Sequence, residues 1–472
     1  MRKVIVAAAS AAILGTLGLT ATAQAQPAGH MAGRADPAVS ETVVAGIPAA
    51  FEVTDHASSA CTWTVTGLPG PVTAGAGLAN NCTDLIDGVF PTAGTKHITA
   101  KATAGGTTTT FTITVTVKAS PGENDAVGVG SDTITPLTDA LSGDFNGTVS
   151  SSATHEYSWD AVNPITGAIG DSIPEKADCP SIPRPDGSSA GINQLATFTT
   201  STSGPYCTNF ARSSRPRGTS DPAFGPGGVA FVNLAGDAVS WSHQKTSNAP
   251  ASLTPTQLNE IYTCSVTNWS QVGGKSGTIA PFLPQSGSGT LSFWLAAIGV
   301  TTPGPCVSNN NNVLEENEGV NPVLQTPDAI FPYSVGDFIA QSQHSDKCLN
   351  TACTANSSGV QCKHTPQKNK FFCDVHGTMV LGKISGISPI TGSGSTETIN
   401  TSFPSTFDRT LFNVVPYDPS TTDHIPGATS PVGGVNLEQL FGATGYDCTN
   451  ATAKADIAHY GFLTIATCGA TS

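Results

Sequence analysis

The sequence predicts a small all-β module followed by a larger α/β domain, and three observations carry that reading. From about Asp36 to Lys118, apolar and polar residues alternate with the two-residue period of half-buried strands. Beyond the linker Ala119-Ser-Pro-Gly-Glu-Asn124 the pattern changes to strands alternating with helices. Within that second part, Gly128-Val-Gly-Ser-Asp-Thr133, Gly187-Ser-Ser-Ala-Gly-Ile-Asn-Gln-Leu195 and Gln285-Ser-Gly-Ser-Gly-Thr290 each set hydroxyls and glycines ahead of a helical run.

The front of the chain reads as an export leader. Arg2 and Lys3 precede an apolar run from Val4 to about Leu19, and Ala23-Gln24-Ala25 offers a small-x-small cleavage site. The expected plan is therefore a signal peptide over 1–25, a linker over 26–36 and a β-sandwich over 37–118. The first cysteine is Cys61, too far from the cleavage point to carry a lipid there, so a released, secreted protein is expected. In the sandwich, His97-Ile-Thr-Ala-Lys-Ala-Thr103 and Thr110-Phe-Thr-Ile-Thr-Val-Thr-Val117 flank the turn Ala104-Gly-Gly106, and Cys61-Thr-Trp-Thr-Val65 supplies another strand. Gly88-Val-Phe-Pro-Thr-Ala-Gly94 resembles the corner of bacterial Ig-like and PKD-type domains, which implies a spacer or adhesive module.

Composition narrows the partners. Only 11% of the 472 residues are charged and the net charge is −14, which argues against a nucleic-acid or anionic-membrane partner. Beyond the leader no stretch is apolar enough for direct membrane insertion. Twelve cysteines in an exported chain read as disulfides, with Cys61–Cys82, Cys179–Cys207, Cys264–Cys306 and Cys448–Cys468 as neighbouring pairs. Cys348, Cys353, Cys362 and Cys373 would supply two more. His344, His364 and His376 lie near that cluster, but its spacing fits no standard zinc pattern, and neither metal nor cofactor is expected.

The clearest helix runs from Thr254 to Tyr262. Thr254 is its N-cap, Pro255 its first residue, Gln257 closes a capping box, and Leu253 and Leu258 form a hydrophobic staple. A second helix follows Thr290, with Phe293, Trp294, Ala297 and Ile298 as its apolar stripe. A helix start exposes unpaired N–H groups and the positive end of the helix dipole. Hydroxyls add neutral donors, and glycine admits a ligand close to the backbone. Three such starts aimed at one point would cage an oxyanion; the chain's acidity is awkward for an anion binder, which must then capture its ligand with local dipoles rather than a global positive field.

These segments resemble the phosphate-binding proteins that serve ABC importers. Gly187 to Leu195 looks like their second anion loop, Ser288-Gly-Thr290 like their Ser-Gly-Thr helix start, and Gly128 to Thr133 like their first Gly-rich loop. Leu253 to Gly274, with Thr267-Asn-Trp269, and Pro327-Asp-Ala-Ile-Phe-Pro-Tyr-Ser-Val335 extend the likeness. The resemblance implies an α/β two-lobed periplasmic-binding-protein-like fold of type 2 over 119–472, preceded by the small all-β Ig-like sandwich. Lobe 1 would take about 125–232 and 395–472, and lobe 2 about 233–394. It further implies phosphate or a related oxyanion in the interlobe cleft and an ABC permease as partner. The ligand-binding residues would be Ser131, Asp132, Thr133, Ser188, Ser189, Arg212, Ser213, Ser214, Ser288, Gly289 and Thr290.

Three positions depart from the family pattern. Asp132 stands where the family has a Thr hydroxyl, Ser214 where it has a proton-accepting Asp, and Pro284 where it has an anion-pairing Arg. Arg212 or Arg215 could restore the charge, and Asp132 could accept the proton that distinguishes hydrogen phosphate from sulfate. The alternative for both arginines is a solvated surface position, and for Asp132 a helix cap. Asp237 is expected where the chain crosses between lobes, in a hinge or capping role. The glycines around Ser288 have the wrong spacing for a Gly-x-Ser-x-Gly elbow, and no His-Glu-x-x-His signature or complete P-loop occurs, so a binder rather than an enzyme is expected. The rival is a surface or matrix protein that keeps the fold without its ligand.

Overall fold

The computed structural model describes residues 3–6, 38–55, 61–70, 72–76, 82–150, 153–166, 168–198, 206–344, 353–356, 359–362, 376–430 and 432–472. Most of the leader, its cleavage site and the linker 26–36 lie outside the described residues, as do Cys348, His364 and Cys373. Lys3–Val6, read from sequence as leader, forms a strand parallel to Phe51–Thr54.

A first compact unit reaches Ala119 and a second begins at Ser120. In the first, Gly94–Ala104 and Thr107–Lys118 pair as a hairpin whose turn places Gly105 and Gly106 at φ of 55° and 81°, a region that glycine adopts without strain. Ala38–Val44 and Thr62–Thr66 complete that sheet of four strands, and Pro48–Thr54, Thr83–Val89, Val72–Ala76 and Lys3–Val6 form another. The inward positions of the period-two pattern, among them Phe51, Ile86, Ile98, Phe111 and Ile113, bury into one core.

The second unit is built on a mixed sheet. Ala126–Gly130 lies between Glu156–Ser158 and Phe210–Ser213, parallel to both. All five of its residues are buried, as the apolar run Ala-Val-Gly-Val-Gly requires of a parallel strand covered on both faces. The organising element is the 16-residue strand Val229–Gln244. Its first part, to Ala238, pairs antiparallel with Asp408–Pro416; from Val239 to Ser242 it pairs with Ala329–Ser334. One strand thus serves two halves, with the exchange of partners beside Asp237. Trp241, Trp269, Trp294 and Tyr262 fill the core of the far half, and Phe210, Phe441, Val415 and Leu440 fill a core of the near half.

The local signals appear as read. Thr254 Oγ1 accepts from Gln257 N at 3.2 Å and Gln257 Oε1 accepts from Thr254 N at 2.8 Å, closing the box ahead of Pro255–Tyr262. Thr254→Ala is expected to lower stability by about 1 kcal/mol in urea unfolding, the usual cost of a lost N-cap. Disulfides join Cys61–Cys82, Cys179–Cys207, Cys264–Cys306 and Cys448–Cys468. Cys353–Asn356 and Gly359–Cys362 pair antiparallel. Among the described residues no helix is long and apolar enough to cross a membrane.

Candidate functional site

Each of the three Gly- and hydroxyl-rich segments opens a helix: Thr135–Thr148, Ser188–Ala196 and Gly289–Ala297. Their approach depends on glycine. Gly130 has φ +124°, and a Cβ there would lie 2.7 Å from Arg212 O. Gly187 has φ +88° and abuts the Gly287 carbonyl, which also accepts from Ser189 N at 3.2 Å. A Cβ on Gly289 would collide with the hydroxyls of Ser188 and Ser214. The second and third segments therefore meet backbone to backbone.

The donors at the first and third helix starts converge on one carboxylate. Glu316 Oε1 accepts from Thr133 N at 3.2 Å, and Oε2 accepts from Ser288 Oγ at 2.5 Å and from Thr290 N at 3.3 Å. Ser288 Oγ in turn accepts from Leu291 N at 3.0 Å, so the same hydroxyl caps its helix and donates to the anion. Thr133 Oγ1 and Thr290 Oγ1 lie 3.2 Å apart across the two halves. Ser131 Oγ is buried with no hydrogen-bond partner.

The remaining sequence-read residues sit beside this seat and are engaged with one another. Ser188 Oγ accepts from Ser214 N at 3.0 Å and lies 3.4 Å from Ser214 Oγ. Ser213 Oγ donates to Arg215 O at 2.8 Å. Arg212, fully buried, gives Nε to Ser131 O at 3.0 Å, Nη2 to Gly130 O at 3.3 Å and Nη1 to Ser158 Oγ. Its guanidinium braces the first loop from behind. Arg215 is not a solvated surface charge: it is buried, pairs with Asp221 through both terminal nitrogens and donates to Ser189 Oγ at 3.1 Å.

The cation at the seat is Arg409, from the strand Asp408–Pro416. Its Nη1 donates to Thr290 Oγ1 at 2.9 Å and to Ser214 O at 3.0 Å. Its Nε and Nη2 lie 2.9 Å and 2.7 Å from Asp237 Oδ2, with both side chains fully buried. Asp237 also accepts from Ser334 Oγ at 2.9 Å and Gly336 N at 3.0 Å, which fastens the point where the long strand changes partners. Sequence reasoning singled out neither Arg409 nor Glu316. A lone Arg just ahead of the largely apolar run Leu411 to Pro416 and the acidic run Glu315-Glu-Asn-Glu318, in a chain poor in charge, are the signals that could have found them.

Carboxyl groups crowd around the seat. Burial, then the charges of Glu316, Asp186 and Glu318, hold Asp132 well above its usual range. Burial pushes Asp186 up to about 6 and Glu318 up to about 8. Glu315 and Asp337 are raised mainly by burial, with added repulsion from neighbouring carboxylates. Away from the seat, burial lifts Asp447 to about 8. A carboxyl with a raised folded-state pKa binds more protons folded than unfolded, so stability falls as pH rises between the two values. Melting temperature is therefore expected to decline from pH 5 to pH 8; a rise across that interval would contradict the burial of these acids. Among the described residues no group of three or more acidic, His or Cys side chains is disposed to hold a metal ion.

Residues 149–364 match the family model of a PBP superfamily domain, PBP_like_2. No curated protein matches the chain. Solved structures similar to it include an ABC-type phosphate transport receptor from Vibrio cholerae, 16% identical, covering 72% of this chain and 100% of that one, with a TM-score of 0.41. A putative phosphate ABC transporter substrate-binding protein with bound phosphate from Clostridium perfringens is 14% identical over 72% of this chain and 100% of its own, with a TM-score of 0.42. PstS from Borrelia burgdorferi is 17% identical over 72% and 99%, with a TM-score of 0.36. The family match lies within the α/β second unit, where residues 149–364 carry the likeness to the PBP superfamily.

Proposed function

We propose that this chain is an exported receptor that captures phosphate or a related tetrahedral oxyanion between the two halves of its second unit, without performing chemistry on it. The observation that carries the reading is the convergence of Thr133 N, Ser288 Oγ and Thr290 N on a single anionic group. Helix-start amides and hydroxyls suit an oxyanion because they stabilise charge without a global positive field. Arg409 supplies the local positive charge that the sequence reading sought in Arg212, and the unpartnered Ser131 hydroxyl is a further donor. The leader read at Arg2 to Ala25 would deliver the protein outside the cell, where an ABC permease would be its partner and the first unit a spacer or adhesive module.

Isothermal titration with phosphate and with sulfate tests the reading. A saturable heat with phosphate supports it; no heat from either anion, with wild type and Glu316→Ala alike, ends it. Asp132 is proposed as the acceptor of the hydrogen phosphate proton through its carbonyl oxygen, which accepts whether or not the carboxyl is ionised; sulfate lacks that proton at neutral pH. Asp132→Thr is then expected to shrink the preference for phosphate over sulfate about tenfold, the worth of one hydrogen bond to a charged group at about 1.5 kcal/mol. An unchanged ratio would remove Asp132 from that role.

A second reading, a surface or matrix protein that keeps the fold without a ligand, is favoured by Glu316 itself, whose carboxylate already satisfies the donors. Under that reading the titration of wild type and variant stays flat.

A further inference from the structure

Glu316 is held as a bound anion would be held. One of its oxygens accepts from the half that carries Ala126–Gly130, through Thr133 N; the other accepts from the opposite half, through Ser288 Oγ and Thr290 N. We propose that Glu316 is a tethered ligand: its carboxylate occupies the oxyanion seat and clamps the two halves together until an incoming anion displaces it. This rests on reading the seat as an anion site, as argued above.

The residue after Glu316 fastens the tether to the far half. Asn317, the next residue, has φ +63° and donates through Nδ2 to Asp337 Oδ2 at 2.6 Å. Its Oδ1 accepts from Ser334 N at 3.2 Å, and its carbonyl accepts from Gln341 Nε2 at 3.1 Å and from the Tyr333 hydroxyl. Every one of those partners lies in Ala329–Ser334 or the following helix Val335–His344. The segment is thus anchored in the far half, and Glu316 reaches across the cleft from it. A carboxylate held on so short a span competes at high effective concentration, so free anion must displace an intramolecular rival.

The same segment carries the means of its release. Glu315 is buried beside Glu316, and Glu318 is half-buried, with an enclosed Oε2 that has no hydrogen-bond partner. Burying carboxyl groups costs free energy that is recovered when they return to water. Departure of the segment would rehydrate Glu315, Glu316 and Glu318 while the incoming anion takes over the donors. The exchange substitutes one anion for another at the seat, so no additional cation is needed there.

The test compares wild type with Glu316→Ala in the full chain, using phosphate and acetate as probes. Small-angle scattering gives the ligand-free radius of gyration and calorimetry the affinity. The expected result is phosphate binding about tenfold or more tighter in Glu316→Ala, because the competing closed state is removed. The variant should also have a larger ligand-free radius, which acetate at millimolar concentration reverses. Equal phosphate affinities overturn the tethered ligand and leave the anion reading standing. If neither protein binds phosphate, the anion reading falls, and the clamp is judged by the radius alone: expansion reversed by acetate upholds it, and an unchanged radius overturns it. Glu316→Gln provides the same comparison should the alanine variant misfold, since its amide nitrogen would turn a donor towards donors.

Discussion

Arg409→Met is expected to destabilise the second unit by about 3–5 kcal/mol, the usual cost of stranding a buried charge by removing its partner. Arg409 and Asp237 lie 172 residues apart and are both fully buried, so water cannot replace the lost guanidinium without opening the structure. The same change removes the donors to Ser214 O and Thr290 Oγ1, which join the end of the strand Phe210–Ser213 to the third helix start. Asp237 would keep Ser334 Oγ and Gly336 N as donors, but these are neutral and do not balance its charge. Adding Asp237→Asn should therefore recover a substantial part of the loss, and a double-mutant cycle in urea measures that coupling. Additive effects of the two changes would mean that the pair does not act as a unit.

Gly191→Ala should be nearly as damaging, at about 2–3 kcal/mol, although it adds a single methyl group. Gly191 faces the strand Ala126–Gly130 from within the helix Ser188–Ala196. A Cβ there would lie 2.5 Å from Gly130 Cα and 2.9 Å from Val129 O, and both obstacles are backbone. Relief requires the helix to move away from the sheet, which draws Ser188 Oγ from Ser214 N and loosens the junction at Gly289. Thermal unfolding reports the stability loss, and anion titration reports the site. A variant as stable as wild type would show that the helix has room to retreat, contrary to the close approach of Gly191 to Gly130 and Val129.

How much of this was legible beforehand depended on the range of the interaction. The hairpin Gly94–Lys118, the capping box at Thr254 and the three helix starts follow from residues within a few positions of one another, and the sequence reading located each of them. The direction of Arg212 was different. Its sequence neighbours allow it to reach forward to a ligand or back beneath the first loop, and the backbone carbonyls of Gly130 and Ser131 that hold it belong to a distant segment. Arg215 looked solvated beside Pro216 and Arg217, yet Asp221 and Ser189 enclose it. The carboxylate at the seat came from a loop that composition marks only as acidic.

The alternation of strands and helices, the positions where glycine must sit, and the presence of hydroxyl-rich helix starts were determined by the sequence itself, because periodicity, capping and positive φ are properties of neighbouring residues. Which charges meet was decided only in three dimensions. Arg409 reaches Asp237 and Thr290, and Glu316 reaches Thr133, Ser288 and Thr290, across 26 to 183 residues of chain. Coulomb and hydrogen-bond energies depend on distance in space and on burial, and both quantities come into being when the sheet brings the two halves of the second unit together.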